Sequence, residues 1–268
     1  MNQLRVVSAI AISIAALSLS ARDVRAGKIQ DNSFLIEEAY NQEAGVVQHI
    51  QTFQYMDNRE WAYGFTQEWP VPGQAHQLSY SIPVYRYTAG DDVTGVGDIL
   101  VNYRYQAVAR EHLAFAPRLS AVLPTGDYKK GLGRGAPGLQ ANLPLSIELS
   151  DRWVTHLNAG LTFVRGAREP GGDESDILDY SAGAGVICLV NDNFNLMLEM
   201  VYGSVQTVVP GGGTTREGSF IVNPGMRFAI NFESGLQIVP GAAFPVIFSS
   251  AGREYNVFVY LSFEHPLF

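Results

Sequence analysis

The sequence of 268 residues has a single cysteine, Cys188, which excludes an internal disulfide and a cysteine-based metal cluster. Charged residues make up only 16% of the chain, against about 25% in typical soluble domains. Beyond the N-terminus no apolar run reaches about 18 residues, which excludes a membrane-spanning helix. A surplus of positive charge is missing too, since the formal net charge is −8. Nucleic acid is therefore not an expected partner.

The N-terminus has the composition of a secretory signal peptide. A short positive start, MNQLR, precedes the apolar run VVSAIAISIAALSLSA (6–21), and VRA (24–26) is tolerated before a cleavage site. A membrane anchor would need about 20 apolar residues. We therefore predict a signal peptide over residues 1–26. Its removal takes away three arginines and one aspartate, which changes the net charge from −8 to −10.

The dominant pattern of the mature sequence is strict alternation of apolar and polar residues. In GLQANLPLSIEL (138–149), every second position is aliphatic, and amide, hydroxyl and carboxylate side chains lie between them. Such alternation indicates extended strands, because successive side chains of a strand point to opposite faces. The same rhythm defines twelve segments between residue 46 and the C-terminus. The chain is therefore predicted to be all-β.

The connections between the predicted strands alternate in length. Longer connections such as GDYKKGLGRGAPG (126–138) and GAREPGGDES (166–175) follow odd-numbered strands. An even strand count with alternating short and long connections is typical of outer-membrane barrels, whose short turns face the periplasm. Tight turns follow the fourth, sixth, eighth and tenth strands: AREH (109–112), SDR (150–152), NDN (191–193) and FES (232–234).

The apolar face of these strands suits either lipid or the core of a secreted sandwich. Trp61 and Trp69 share one face and are eight residues apart, roughly 26 Å at about 3.3 Å per residue. A tilt of about 40° reduces this to about 20 Å of height, close to the apolar band of about 25 Å in outer-membrane barrels. The opposite face carries Gly, Ser, Asn and Gln rather than abundant Lys and Glu. These features favour a closed antiparallel transmembrane β-barrel of about 12 strands over residues 45–268, since an open edge in lipid would leave amides unpaired.

Residues 27–44, GKIQDNSFLIEEAYNQEA, do not alternate. Phe34, Leu35, Ile36 and Tyr40 argue against a fully solvated tail. We predict that this N-terminal segment folds into the periplasmic mouth of the barrel as a partial plug, and an exposed tail is the alternative.

Several stretches of the sequence resemble one family of bacterial outer-membrane proteins, labelled putative meta-pathway of phenol degradation. The resemblance covers nearly the whole mature chain, and it implies a barrel fold and uptake of small organic molecules. It implies no particular binding residues. The stretches are FLIEEAYNQEAGVVQHIQTFQY (34–55), GDILVNYRYQ (97–106), APRLSAVLPTGDY (116–128), GLQANLPLSIELS (138–150), LQIVPGAAFPV (236–246) and YLSFEHPLF (260–268).

Two features bear on expected partners other than a solute. Many outer-membrane barrels end in a phenylalanine that the barrel assembly machinery recognises, and Phe268 fits this habit. Phe263, whose parity matches the outward set of the last strand, is the alternative signal. One predicted loop is basic, with Lys129, Lys130 and Arg134. It would attract lipopolysaccharide phosphates; the alternative is a loop that contacts only solvent. Outer-membrane lipid and lipopolysaccharide are the expected surroundings.

Charged and amide side chains on the polar face are the candidate pore-lining and solute-contacting residues. A turn centred near residue 111 would put Arg104 directly across from Arg118, and like charges in that position destabilise a sheet unless something balances them. An anionic solute could balance them, as could a carboxylate of Glu148, Glu199, Glu68, Glu37 or Glu38. The candidates are Asn102, Arg104, Arg118, Asn142, Glu148, His156, Asn158, Glu199 and Arg227.

Other motifs point to no cofactor, metal or catalytic centre. GRGAPG (133–138) has the spacing of a dinucleotide fingerprint, but a strand follows it where a helix is required. Ser146, His156 and Asn158 share the polar face and offer a hydrolase-like set, yet they point into the lumen. The remaining histidines lack ligand spacing.

The predicted function is passive uptake of small organic solutes, including aromatic compounds or their acids, across the outer membrane of a Gram-negative bacterium. Eight strands leave a filled interior and sixteen to eighteen leave a wide pore, so about twelve predict a narrow lumen. The alternative is a structural or surface-binding barrel without a transport role, in which the lumen arginines form a closed ion-pair network.

Overall fold

The structure is a computed structural model that describes residues 33–88 and 92–267. The predicted signal peptide, residues 27–32 and Phe268 lie outside the described residues. The chain forms one antiparallel sheet of twelve strands that closes through pairing of the first strand with the last, as predicted. The strands, some of them in two or three runs, are β1 (Val46–Tyr55), β2 (Trp61–Trp69), β3 (His76–Tyr87), β4 (Val93–Val96, Ile99–Tyr105, Val108–Arg110), β5 (Leu113–Phe115, Arg118–Leu123), β6 (Gly138–Asn142, Leu145–Ser150), β7 (Trp153–Arg168), β8 (Glu174–Asn191), β9 (Phe194–Val209), β10 (Gly213–Phe228, Ile230–Asn231), β11 (Gln237–Ala243, Val246–Ser249) and β12 (Gly252–Tyr255, Val257–Pro266).

The two ends of the barrel differ in their connections. We call the end at which β1 begins and β12 ends the base; its turns are 70–75, 111–112, 151–152, 192–193 and 232–236. We call the opposite end the rim. Among the described residues its longest connection is 124–137, which contains a short 3₁₀ helix, Tyr128–Lys130, and is called the rim loop below.

The predicted long loop at 166–175 is mostly strand. Arg168 of β7 pairs with Glu174 of β8, and Val209 of β9 pairs with Gly213 of β10. Only 169–173 and 210–212 remain as connections. Pairing continues because Gly172, Gly211 and Gly212 adopt positive φ angles that tight turns require. The wall formed by β7 to β10 is therefore extended by strands rather than by loops.

The alternating sequence divides the wall into an apolar outer face and a polar inner face. In β6, the outward Leu139 is 59% exposed, whereas the inward Asn142 and Ser146 are 8% and 0% exposed. In β9, Leu196 is 47% exposed and Glu199 is 1% exposed. The outer face is therefore an apolar surface on a closed sheet. No helix of the described residues combines the length and apolar character of a membrane span.

Residues 33–44 run into the barrel at its base, and we call them the luminal segment. Phe34 packs inside the wall with its ring centroid 5.5 Å from that of Phe258 and 5.4 Å from that of Tyr260. Ala39 and Ile36 are 0% and 2% exposed. The interior of the base is therefore filled by the segment together with inward side chains.

Candidate functional site in the barrel lumen

The predicted lumen residues occupy inward positions of the wall. Glu148 lies nearest the base opening; its side chain is 35% exposed and 3.4 Å from His112 Nδ1. Contact of any of these residues with a solute stays a prediction. The buried candidates are Arg227, Glu199 and His156 (each 1% exposed), Arg104 and Asn102 (each 3%) and Asn142 (8%).

Arg104 of β4 and Arg118 of β5 are register partners, so the predicted juxtaposition of two like charges is confirmed. Glu37 of the luminal segment balances Arg118: its Oε1 accepts from Nη2 at 2.5 Å and its Oε2 accepts from Nε at 3.0 Å. Arg118 Nη1 also donates to Asn102 Oδ1 at 2.8 Å and to Ser120 Oγ at 2.6 Å. A bidentate carboxylate therefore occupies the arginine fork, which is the strong geometry for such a pair.

Arg104 binds the luminal segment mainly through carbonyl oxygens. It donates to the carbonyl oxygens of Glu38 at 3.2 Å and Tyr40 at 2.6 Å, and its Nε donates to Asn41 Oδ1 at 3.0 Å. The nearest carboxylate is Glu68, at 4.0 Å. Two of the carboxylates proposed from the sequence therefore lie near these arginines. Glu37 pairs with Arg118, and Glu68 lies at the limit of ion-pair distance from Arg104.

The luminal segment has no regular secondary structure, and its N–H groups donate to side chains of the wall. Glu199 Oε1 accepts from both Leu35 N at 2.8 Å and Ile36 N at 2.9 Å. Buried backbone N–H groups require hydrogen-bond acceptors. In a sheet a neighbouring strand supplies them; here the inward polar side chains of the wall do so. The other bonds are Glu37 N to Asn158 Oδ1 (2.8 Å), Ala39 N to Ser146 Oγ (2.8 Å), Asn41 N to Gln106 Oε1 (2.9 Å) and Gln42 N to Gln77 Oε1 (2.7 Å).

A second buried charge pair ties the segment to β10. Arg227 Nη2 donates to Glu38 Oε1 at 3.1 Å, and the side chains of Arg227 and Glu38 are 1% and 5% exposed. Ser33 Oγ donates to the same oxygen at 3.3 Å, and His156 Nε2 lies 3.7 Å from it. Pairing of this kind is what allows a carboxylate to be buried.

The two adjacent glutamates of the segment respond differently to their surroundings. Burial raises the pKa of Glu38 above its ordinary value, and the charge of Arg227 only partly opposes this. Burial also acts to raise the pKa of Glu37, but the charges of Arg118 and Arg104, with hydrogen bonds from Arg118 and Asn142, bring it below its ordinary value. Glu37 is therefore the residue whose ionised form the site stabilises.

Glycines in the wall make room for the apolar side chains of the segment. A Cβ on Gly241 would lie 2.6 Å from Phe34 Cζ, and one on Gly225 would lie 2.6 Å from Phe34 Cε2. A Cβ on Gly183 would collide with Ile36 Cδ1. The space for these two side chains therefore exists because the wall lacks side chains at these positions.

We expect Gly241→Ala to weaken the seating of the luminal segment by about 1–3 kcal/mol, because an added methyl group overpacks the site of Phe34. Limited proteolysis of the folded barrel, followed at the segment, measures this. Gly203→Ala is the matched control, since a Cβ there would meet nothing closer than Ser219 Oγ at 3.8 Å. Equal protease resistance of the two variants would contradict the close packing of Phe34.

The rim loop folds back into the barrel, so the interpretation of Arg134 as part of a solvated loop is wrong. Leu132 is 6% exposed. Asp98 accepts from Arg134 N at 2.7 Å and from Gly126 N at 2.9 Å, which draws the loop inward. The Arg134 side chain forms an ion pair with Asp179 at 3.1 Å. Lys129 and Lys130 remain exposed, where lipopolysaccharide contact stays a prediction.

A cavity of about 260 Å³ lies inside the barrel above the luminal segment. Its floor contains Glu37 and Arg118, and Asp179, the partner of Arg134 in the rim loop, lies on its wall. The rest of the lining mixes small and apolar residues with amide and hydroxyl side chains, the latter from Gln140, Asn142, Asn158, Thr162, Ser181 and Ser204. The cavity therefore offers apolar surface, several weak polar contacts and one guanidinium group.

The hydrolase-like set predicted from the sequence is only partly assembled. Ser146 Oγ lies 2.7 Å from His156 Nδ1. However, Ser146 is 0% exposed, and its Oγ accepts the N–H of Ala39. Asn158 binds the backbone of the segment instead of the histidine. Ser146 Oγ is therefore inaccessible to a substrate in this arrangement.

Sequence reasoning missed several residues of the lumen. Gln77 and Gln106 hold the segment, and their parity alone would have placed them on the inner face. Asp98 and Asp179 hold the rim loop; Asp179 lies in the glycine-rich part of β8, where the alternation is weak. Their partners could not be read from the sequence, because these contacts join distant parts of the chain.

The fold is shared with solved structures of other proteins. An outer membrane channel from Pseudomonas putida F1 has a TM-score of 0.68 at 12% sequence identity, over 85% of this chain and 97% of that one. The NanC porin has a TM-score of 0.53 at 10% identity, over 80% of this chain and 98% of that one. Likeness at such identity shows the fold alone. No curated protein sequence matches the chain.

A family model gives the more specific result. The model described as "Putative MetA-pathway of phenol degradation" matches residues 25–243. The match extends from the predicted cleavage site through the luminal segment and most of the wall. It confirms the resemblance noted from the sequence, and the chain therefore belongs to the family of the putative MetA-pathway of phenol degradation.

Proposed function

We propose that the protein is an outer-membrane channel for passive uptake of small organic solutes, including aromatic compounds or their acids, in a Gram-negative bacterium. The observation that carries this proposal is the cavity of about 260 Å³, lined by both polar and apolar groups, inside a closed barrel with an apolar outer face. Proteins with the same fold include an outer membrane channel and a porin by name. Export by residues 1–26 and assembly through the C-terminal strand belong to the same proposal.

The luminal segment closes the channel at its base in this proposal. Residues 27–44 form the partial plug and residues 45–268 the barrel. The segment is held by individual hydrogen bonds and two arginine–glutamate pairs rather than by strand pairing. Polar contacts of this kind can exchange with water, so the segment can leave the base without opening the sheet.

The size and lining of the cavity favour a single-ring solute with a carboxylate. An apolar cavity of about 150 Å³ is enough for benzene, so 260 Å³ leaves room for a substituted ring. Arg118 already holds a carboxylate, that of Glu37, in bidentate geometry. A solute carboxylate would use the same fork when Glu37 moves away. The apolar side chains and the amide and hydroxyl groups of the wall then provide contacts weak enough to release the solute, as conduction requires.

We expect Glu37→Gln to raise solute flux severalfold, because it removes the charge that holds the segment at Arg118. Liposome swelling measures the flux, with benzoate, glucose and an amino acid as solutes. Benzoate should gain most, since the Arg118 charge is then left without its partner. Glu174→Gln is the control; its partner Arg168 lies 3.5 Å away and their side chains are 44% and 62% exposed. Absence of flux through both the native protein and Glu37→Gln would overturn the proposal.

The second candidate is a structural or surface-binding barrel without transport. The dense hydrogen bonding between the wall and the luminal segment favours it, since the base is filled. In that case the arginine pairs serve stability only. Neither Glu37→Gln nor removal of the segment would then produce flux of any solute.

Catalysis is not part of the proposed function. The Ser146–His156 pair is buried beneath the segment, where it holds Ala39. Its role is proposed to be positioning of the segment. An ester-hydrolysing activity lost on His156→Gln would contradict this.

A further inference from the structure

Two histidines meet on the outer face of the base, where the barrel closes. His49 lies in β1 and His265 in β12, the strands that join the two ends of the sheet. Their Nε2 atoms are 3.3 Å apart, with ring centroids 5.4 Å apart and planes inclined by 20°. Phe65 of β2 stacks on the other side of His49, at 6.3 Å and 27°. His49 and His265 lie near opposite ends of the barrel sequence. Only the pairing of the first strand with the last brings them together.

The hydrogen bond of His265 sets which nitrogen is available. His265 Nδ1 lies 2.8 Å from the carbonyl oxygen of Pro266. A carbonyl oxygen only accepts, so Nδ1 carries the proton and the neutral ring presents an Nε2 lone pair toward His49. A carbonyl partner on the second ring nitrogen is the usual arrangement of a metal-binding histidine, because it fixes the tautomer and orients the ring.

The spacing of the two Nε2 atoms suits one shared metal ion. Zinc–nitrogen bonds of about 2.0–2.1 Å at a tetrahedral angle place two ligand nitrogens about 3.4 Å apart, close to the 3.3 Å observed. Within residues 33–88 and 92–267, no group of three or more His, Cys, Asp or Glu side chains could hold a metal. Water would therefore complete the coordination, which is possible because His265 is the second-last residue of β12, at the open end of the base.

We propose that His49 and His265 bind a divalent transition-metal ion of the class that prefers imidazole, with Zn²⁺ as the representative, on the seam between β1 and β12. The bound ion connects the first strand to the last and so stabilises the closed barrel. An N–H···N hydrogen bond between the two neutral rings is the competing account of the same distance. The proposal does not depend on solute transport.

The test uses purified protein without a histidine tag in detergent. We expect one Zn²⁺ per chain by equilibrium dialysis and a higher thermal unfolding midpoint with Zn²⁺ than with Mg²⁺, which prefers oxygen ligands. His49→Gln and His265→Gln should each abolish both effects. His76→Gln is the matched control: His76 also stacks on an aromatic neighbour, Tyr103, and its Nδ1 lies 2.7 Å from Tyr103 Oη rather than from a second histidine.

A measurement on the native protein covers the case in which the variants fail to fold. In protein with ¹⁵N-labelled histidine, Zn²⁺ should shift the Nε2 resonances of two histidines and leave the others unchanged. Zinc-independent stability with no shifted resonances would establish the plain hydrogen bond and overturn the proposal. Zinc binding that survives both His49→Gln and His265→Gln would overturn it as well.

Discussion

Deleting residues 33–42 should raise the single-channel conductance severalfold in planar bilayers. These residues occupy the interior of the base, where their backbone N–H groups bond to β3, β4, β6, β7 and β9. Without them, water replaces the segment as partner of the exposed arginines and carboxylates, and the cavity becomes continuous with the base opening. The sheet loses none of its own pairing, so the barrel should remain folded.

A matched control for this deletion changes the rim without touching the lumen. Replacement of the exposed Lys129 and Lys130 by glutamine leaves the inward part of the rim loop in place. We expect its conductance to equal that of the native protein. A folded deletion variant with unchanged conductance would show that the constriction lies elsewhere, with the rim loop as the remaining obstruction.

Arg227→Ala should lower the free energy of unfolding by about 3–5 kcal/mol, because it leaves the buried carboxylate of Glu38 without its charge partner. Urea unfolding in lipid vesicles measures this, with protease sensitivity of the luminal segment as a second readout. Arg86→Ala is the control: its partner Asp92 is 2.9 Å away, but the side chains are 39% and 63% exposed. An exposed pair of this kind contributes about 0–1 kcal/mol.

A double variant separates loss of the charge partner from loss of packing. In Glu38→Gln/Arg227→Met the buried charges are both removed and the volume is largely kept. We expect it to recover much of the stability lost in Arg227→Ala, since a buried ion pair replaced by neutral groups of similar size is often nearly neutral. If Arg227→Ala and Arg86→Ala unfolded alike, Arg227 would not be holding the segment.

The wall of the barrel could be predicted from the sequence because its information is local. Alternation in β6 assigned Leu139 to the outer face and Asn142 to the inner face, and both assignments are confirmed. The tight turn at 111–112 aligned β4 with β5 to within one residue, and a one-residue shift between their two paired runs brings Arg104 opposite Arg118. Strand ends were less certain, since β7 to β10 continue their pairing through residues that resemble loops.

For the lumen, the sequence predicted which types of side chain lie there but not which of them pair. The sequence indicated that a carboxylate or an anionic solute would balance the arginines, but the selection of Glu37 for Arg118 depends on the depth at which the segment enters. That depth is set by the packing of Phe34 and Ile36 against glycines of the wall. No local sequence pattern encodes this packing. The inward fold of the rim loop and the meeting of His49 with His265 likewise depend on closure of the whole sheet.

The manner in which the luminal segment is held has a consequence for biogenesis. Its partners come from strands β3 to β10, so no early stage of synthesis provides them all. A shift of one residue in any of these strands would turn the partner outward. The N-terminus can dock only after the wall has been completed in the correct register. Protection of the luminal segment from proteases therefore indicates that the barrel has assembled in the correct register. In misassembled molecules the segment would be accessible to proteases of the cell envelope.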